Sequence, residues 1–430
     1  MSELAPVAAK AATPASGPAL LRPFAVRDFR LMFGGETISV LGDQFHFVAL
    51  AWLTLQLTGS GLALGGVLMV AAIPRAVLML VGGALSDRLS PRDLMLWSNA
   101  LRAVLVGVLA VLVLGGQVAL WHLFVLAAIF GVVDALFYPA TSAILPMLVD
   151  EPLLPPANAL IQGSQQLTGL IGPALAGVVV AAVNTGPAFA FDAVSFAVAA
   201  AALVFVVGGR RRARATEERP AASEGLLSTI GVGLRYVWAD PAVRALVLIA
   251  AAFNFAFTGP LSVGIPYMAV HRFDGGPAAF GILFAGFGAG ALLGALGAGA
   301  IPHVPRLGSV VLGVGIVLGL AMGTLGVAPN VPLALGMLAA LGLGVGFINV
   351  HLVSWLQART PDEMRGRVMS TVMLSSVGLA PVSFAAAGAI VDFGAITWLF
   401  LAAGGIVLAA SLIGLASGVA GRMSTEQAPT

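Results

Sequence analysis

The stretch LMFGGETISVLGDQFHFVALAWLTLQL, Leu31 to Leu57, decides the fold. It is apolar for long enough to cross a hydrocarbon core of about 30 Å, which takes about 20 helical residues. Yet it carries Glu36, Asp43 and His46. A charge at the bilayer centre costs at least about 2.5–3.5 kcal/mol, so such side chains are expected to face the protein interior and to have a task.

Outward from this stretch, apolar runs of the same length recur along the whole chain. Hydrophobic residues make up 59% of the sequence and charged residues 9%, against roughly 25% charged in a soluble domain. A transmembrane barrel would instead show alternating strands of about ten residues. The expectation is an all-α polytopic membrane protein. Twelve helices are predicted at 30–57, 62–86, 94–115, 119–146, 157–182, 187–208, 242–270, 277–301, 307–327, 331–357, 367–391 and 395–418. The divisions are a disordered cytoplasmic tail over 1–23, a six-helix bundle over 24–208, a cytoplasmic linker over 209–241, a second six-helix bundle over 242–418, and a tail over 419–430. The first 23 residues are rich in Ala and Pro and do not read as a cleaved signal. Within the linker, GRRRARATEERPAASEG precedes LLSTIGVGLRYVWAD, where Leu227, Ile230, Leu234 and Trp238 recur at helical spacing. That pattern predicts an amphipathic helix on the membrane surface.

Arginines set the orientation. With the N-terminus in the cytoplasm, the inner loops collect Arg22, Arg27, Arg30, Arg88, Arg92, Arg210–Arg214, Arg306 and Arg359, while the outer side keeps Arg272. Both termini are expected inside, in a bacterial-type cytoplasmic (inner) membrane. The net charge of +2 implies no nucleic-acid partner, and the absence of cysteine excludes disulfides and thiolate metal sites. No phosphate-binding loop, catalytic constellation or metal-ligand cluster is present in the pattern, so neither enzyme activity nor a bound cofactor is expected.

The two halves look related. LTGSGLALGGVLM after the first span matches FDGGPAAFGILFA after the seventh, with Gly61 on Pro277 and Gly65 on Gly281 at a constant offset of 216. Parallel repeats of this kind are a transporter signature, with substrate bound between the halves. The loop GGALSDRLSPRDLM then resembles the one that marks the major facilitator superfamily. Gly83, Asp87, Arg88 and Arg92 stand where that family has its conformational latch. The corresponding loop GAGAIPHVPRLG lacks the Asp-Arg pair, with His303 in its place. LTGLIGPALAG, with Gly169, Gly172, Pro173 and Gly177, is similar to the Gly-Pro motif of proton-driven exporters, although the glycine pair after the proline is missing. GLRYVWADPAVRAL and TPDEMRGRVMS resemble a branch containing macrolide efflux pumps, siderophore exporters and other small-molecule secretion permeases.

The resemblance implies a secondary transporter of the major facilitator fold, working by alternating access. The expected function is proton-coupled export (antiport) of a lipophilic or cationic small molecule. The alternatives are a siderophore exporter or a translocase of a lysophospholipid-like lipid. A proton gradient is the expected energy source, the lipid bilayer and a small-molecule substrate the partners, and a monomer the expected state.

The opening question then has an answer. Glu36 and Asp43 lie two helical turns apart and share a face, with His46 three residues on. Asp43 falls mid-membrane, roughly 20 Å from the inner end of its span, where a carboxylate could alternate between holding and releasing a proton. Arg75 in the second span lies at about the same depth and offers the competing reading of a fixed Asp43–Arg75 pair. Asp134 and Arg102 also match in depth and predict a buried ion pair. Asn254 is a candidate substrate hydrogen-bonding group, Asn349 and His351 interior polar groups, and Asp192 and Asp392 helix-end or gate residues. Gly286, Gly290 and Gly294, with Gly342 and Gly346, form small-residue rows suited to close helix packing.

Overall fold

A computed structural model describes residues 18–86, 89–207, 231, 235, 237–273, 275–301 and 304–422, without side-chain detail at 79–86, at several positions of 362–376, and at 419 and 422. Twelve long helices cross the bundle among the described residues. They are α1 (Arg27–Thr58), α2 (Gly61–Ser86), α3 (Pro91–Leu114), α4 (Leu120–Leu148), α5 (Leu154–Ala182), α6 (Thr185–Val204), α7 (Pro241–His271), α8 (Gly276–Ala300), α9 (Leu307–Leu325), α10 (Val331–Arg359), α11 (Asp362–Phe393) and α12 (Ile396–Ala416). Eleven are apolar enough over their length to cross a membrane, and α11 contributes the shorter apolar segment Val377–Phe393.

Local chemistry sets the helix ends. Asn184, Asp240 and Asn330 cap α6, α7 and α10, each side chain accepting a backbone N–H of the first turn, at 2.8, 2.8 and 3.0 Å. Such caps satisfy donors that no helix can satisfy internally. Gly59 ends α1 with φ at 64°, a left-handed conformation that glycine adopts without a Cβ penalty. Two boundaries differ from expectation. A 3-10 helix occupies Ala19–Ala25, where a tail was expected to run to residue 23. Its Phe24 packs edge-on against Phe29 and Phe33 of α1, which supplies the burial that Ala- and Pro-rich sequence lacks. The second is α7, expected to be one regular rod. It contains a π-helical turn at Pro260–Gly264. Pro260 has no N–H to continue the ladder, and Ser383 of α11 compensates, donating to the Phe255 carbonyl at 2.6 Å and accepting from Gly259 N at 2.8 Å. Residues 1–17 and most of the linker, including Leu227, Ile230 and Leu234, lie outside the described residues.

The chain forms two bundles. In the first, α1 packs on α5 and α6, α2 on α4, and α3 on α6; in the second, α8 packs on α10, α9 on α12, and α7 on α11. Two seams join them, α2 with α11 and α5 with α8. We call the side where α1 starts and α12 ends the terminal side, and the other the distal side. Both seams close on the distal side through backbone contact. A Cβ at Gly65 would meet the Phe384 carbonyl, and one at Gly281 the Pro173 carbonyl. The two glycines related by the offset of 216 therefore do the same work at the two seams. Toward the terminal side α5 parts from this packing. Gly169, Pro173 and Gly177 lie against α8, whereas Asn158, Gln162 and Gln165, which continue that face by helical spacing, are exposed. Exposure of these residues, with the glycine contacts at Gly65 and Gly281 toward the distal side, points to a cleft between the halves open to the terminal side.

Candidate functional site

Phenylalanines close the cleft at its distal end. Phe47 of α1 stands 5.9 Å from Phe280 and 5.2 Å from Phe284 of α8, centroid to centroid. Asp43 lies one helical turn before Phe47, so it sits at the apex of the cleft beneath these rings. The helix geometry puts it about 24 Å from the start of α1. The residue is half-buried and makes no hydrogen bond or ion pair among the described residues. The charges acting on it are Asp192, Arg102, Asp134 and Glu36.

Behind Asp43 is a polar core held by α1, α2, α3, α4 and α6. Arg102 of α3 and Asp134 of α4 form an ion pair. The Arg102 guanidinium lies over three rings, 4.1 Å from the Phe137 centroid, 5.3 Å from Phe130 and 5.5 Å from Phe196, a cation–π setting that favours it when water is excluded. The Asp43–Arg75 pair of the competing reading is absent among the described residues. Arg75 approaches Asp134 instead, at 3.8 Å. Equal depth placed Arg75 correctly along the membrane normal, but its helix α2 packs on α4 and turns it toward the α4 acid. Glu36 accepts a hydrogen bond from Asn99 of α3 at 3.0 Å.

Asp192 was expected near a helix end. It is fully buried, and its Oδ2 stands 3.1 Å from His46 Nδ1, close enough for an ion pair but misaligned for a hydrogen bond. Gly42 makes room, since a Cβ there would strike Ser195 and Asp192. His46 also stacks on Phe130, at 5.2 Å. Thus Glu36, Asp43, His46, Arg102, Asp134 and Asp192 do come together, with Arg75 at the edge. The group holds four carboxylates, two guanidiniums and one imidazole, and it is neutral only when it carries two protons. Several of its buried atoms, including His46 Nδ1, Asp192 Oδ2, Asn99 Oδ1 and Arg102 Nε, have no hydrogen-bond partner among the described residues. A polar network in low dielectric that is only partly satisfied is sensitive to any change of charge.

The other expected residues divide. Asp87, Arg88 and His303 lie outside the described residues, and Gly83 is described only as backbone of α2. Arg92 is buried and turned into its own half, pairing with Asp93 at 2.6 Å and donating to the Val204 carbonyl at the end of α6 at 2.8 Å. Gly169, Gly172, Pro173 and Gly177 form the α5 side of a seam. Gly172 admits the Gln44 side chain of α1, while the others meet α8. Asn254 donates to the Ala250 carbonyl of its own helix at 2.9 Å. His351 bridges the Phe347 and Ile301 carbonyls, each at 3.1 Å.

Asp392 at the end of α11 caps the start of α2 across the seam. It accepts from Gly61 N at 2.7 Å and Leu62 N at 3.1 Å, and Ser60 Oγ also donates to it. Sequence reading missed the amide-bearing face of α5. The spacing of Asn158, Gln162 and Gln165 within an otherwise apolar run was the available signal.

Comparison with known proteins extends this geometry. The profile of the transmembrane secretion effector family matches residues 18–430. The multidrug efflux pump Tap of Mycolicibacterium fortuitum is 28% identical over 372 residues, covering 84% of this chain and 88% of that protein. Macrolide efflux protein A of Streptococcus pyogenes is 20% identical, covering 90% and 94%. Among solved structures, a POT family transporter in complex with 5-aminolevulinic acid superposes with a TM-score of 0.72 at 15% identity, covering 93% of this chain and 97% of that one. A bacterial homologue of the iron transporter ferroportin in an inward-facing state superposes with a TM-score of 0.69 at 18% identity, covering 93% and 99%.

Proposed function

Because this chain belongs to the transmembrane secretion effector family of major facilitator transporters, we propose that it is a proton-coupled exporter of lipophilic small molecules. The multidrug and macrolide efflux relatives support that substrate range. The observation that carries the coupling is Asp43. Among the described residues it is unpaired, at the apex of the cleft, one turn below the phenylalanines, and backed by a core with more acids than bases.

In this reading the terminal side faces the cytoplasm of a bacterial-type inner membrane, the protein acts as a monomer, and the proton gradient supplies the energy without a cofactor. With the distal side open, Asp43 takes a proton from outside and substrate leaves. The neutral carboxyl lets the apex be enclosed without an unpaired charge, whose burial is strongly unfavourable. With the terminal side open, water reaches Asp43, the proton passes to the cytoplasm, and substrate enters. Asp134 is held by Arg102 and Arg75, whereas Asp43 has no such partner among the described residues, which leaves Asp43 as the carrier of the exchangeable proton.

Asp43→Asn tests this. Asn can hydrogen-bond but cannot titrate. In proteoliposomes the variant should lose pH-gradient-driven transport while retaining substrate exchange at zero gradient, and its melting temperature should hold because Asp43 has no partner to strand. Full gradient-driven transport by the variant would refute the assignment.

A further inference from the structure

The α5 face that meets α8 on the distal side changes character toward the terminal side. Asn158, Gln162, Gln165 and Gly169 follow one another at spacings of four, three and four residues and occupy one helical face. Gln166 lies beside them. Gly169 touches Gly288 of the opposite half. The four amides are exposed. Asn158 donates to the Leu154 carbonyl at 3.0 Å, and Gln162, Gln165 and Gln166 make no hydrogen bond among the described residues. Gln162 and Gln165 lie about 12 and 16 Å along α5 from its start, within a helix long and apolar enough to cross a membrane. Polar side chains within such a span turn to the bundle interior or a water-filled cavity rather than to lipid. The face therefore borders the cleft. On the opposite wall, Leu292 and Leu296 of α8 follow Gly288 at four-residue spacing.

We propose that Asn158, Gln162, Gln165 and Gln166 form a carboxamide surface that selects an uncharged, amphipathic substrate bearing several hydroxyl or carbonyl oxygens, whose apolar side lies against Leu292 and Leu296. This rests on the exporter reading above and narrows its substrate class. A carboxamide offers both donors and an acceptor without charge. An oxygen-rich neutral molecule can satisfy it from either side. A lipophilic cation without oxygen leaves the amides unpaired and is discriminated against for that reason.

Two measurements on the reconstituted full chain test the proposal. The chain has no native cysteine, so Gln162→Cys and Gln165→Cys report directly. A membrane-impermeant maleimide added on the terminal side should label both, and chloramphenicol, a neutral diol amide, should slow the labelling. Absence of labelling means that the face meets lipid and overturns the proposal, whether or not the protein exports anything. Equilibrium binding then compares chloramphenicol with tetraphenylphosphonium. The double variant Gln162→Leu/Gln165→Leu should weaken chloramphenicol binding about tenfold, as expected for two lost neutral hydrogen bonds, and leave the cation unchanged. Gln162→Asn/Gln165→Asn, which keeps the carboxamides, should retain affinity and exclude a folding defect. Equal losses for both probes, or a wild-type protein that does not bind chloramphenicol, overturn the substrate class. Neither binding nor labelling needs a proton gradient, so failure of coupling through Asp43 remains a separate result.

Discussion

The two halves share an architecture and differ in what fills them. The first bundle holds Glu36, Asp43, His46, Arg102, Asp134 and Asp192 between its helices, with Arg102 and Asp192 buried and the others half-buried. In the second, α8, α9 and α12 contain no charged residue at all. There α8 and α10 meet backbone to backbone along a row of glycines. Gly290 and Gly294 of α8 meet the Ala339 and Leu343 carbonyls of α10, and Gly342 and Gly346 of α10 meet the Phe287 and Ala291 carbonyls of α8. One half holds charge in a costly, adjustable network, and the other is a close-packed wall. The difference teaches that a duplicated fold can confine its titratable chemistry to one copy, so long as the seams between the copies stay alike.

The comparison breaks most sharply at Asp134. Asp134→Ala strands Arg102 among three aromatic rings and leaves Arg75 without its acid. Loss of one partner from a buried pair should cost about 3–5 kcal/mol, read as a fall in melting temperature in detergent. The double change Asp134→Leu/Arg102→Met should recover most of it. An unaltered melt in the single variant would mean that the first bundle does not depend on its charges. The second bundle is probed by Gly290→Ala, whose Cβ would strike the Ala339 carbonyl. Overpacking of this kind should cost about 1–3 kcal/mol. Gly297→Ala, where nothing lies within 4 Å, is the control and should be neutral.

Between the bundles, Asp392→Ala removes the cap on α2. Hydrogen bonds to a charged acceptor contribute about 1.5–3 kcal/mol each when fully desolvated, and this site is partly exposed, so the loss should be near the lower end. Its sign is definite, because the distal side should open more often. Leu68, seven residues from Gly61 on the same seam, supplies the reporter. Leu68→Cys should react faster with a maleimide from the distal side in the Asp392→Ala background. An unchanged rate would remove Asp392 from the gate.

The smallest effect belongs to Asp240, at the start of the second bundle. Partial burial pulls its pKa up, but hydrogen bonds from Ala242 N and Arg359, together with the Arg359 charge, outweigh it and hold the carboxyl below its usual range. A folded-state pKa below the unfolded value of about 4 gives stability that is present above that value and lost as pH falls through the folded one. Melting temperature should therefore drop slightly at strongly acid pH, and Asp240→Asn should flatten that drop. The expected size is under about 1 kcal/mol, as for a partly exposed pair.

The fold was legible because span length and hydrophobicity are properties of the chain alone, and the predicted spans match the observed helices to within a few residues. The site was legible in part. Depth along the normal can be counted from sequence, and it placed Asp43 level with Arg75, and Arg102 level with Asp134. Direction around the helix axis depends on which neighbour is present, and that is tertiary information. The competing reading therefore gave Arg75 a carboxylate that it does not approach, and Asp192 was read as a helix end when α1 opens a space for it at Gly42. The π turn at Pro260 was hidden for a similar reason, since its compensating hydroxyl, Ser383, comes from a distant helix.

The glycine seams have a thermal consequence. A contact between glycine and a carbonyl involves no side-chain rotamers, and glycine has no side-chain entropy to lose on burial. Opening or closing α2 against α11, or α5 against α8, thus releases little rotational freedom at those contacts. The temperature dependence of switching should then be set elsewhere, by the freeing of the Phe47, Phe280 and Phe284 rings and by the hydration of the amides along α5.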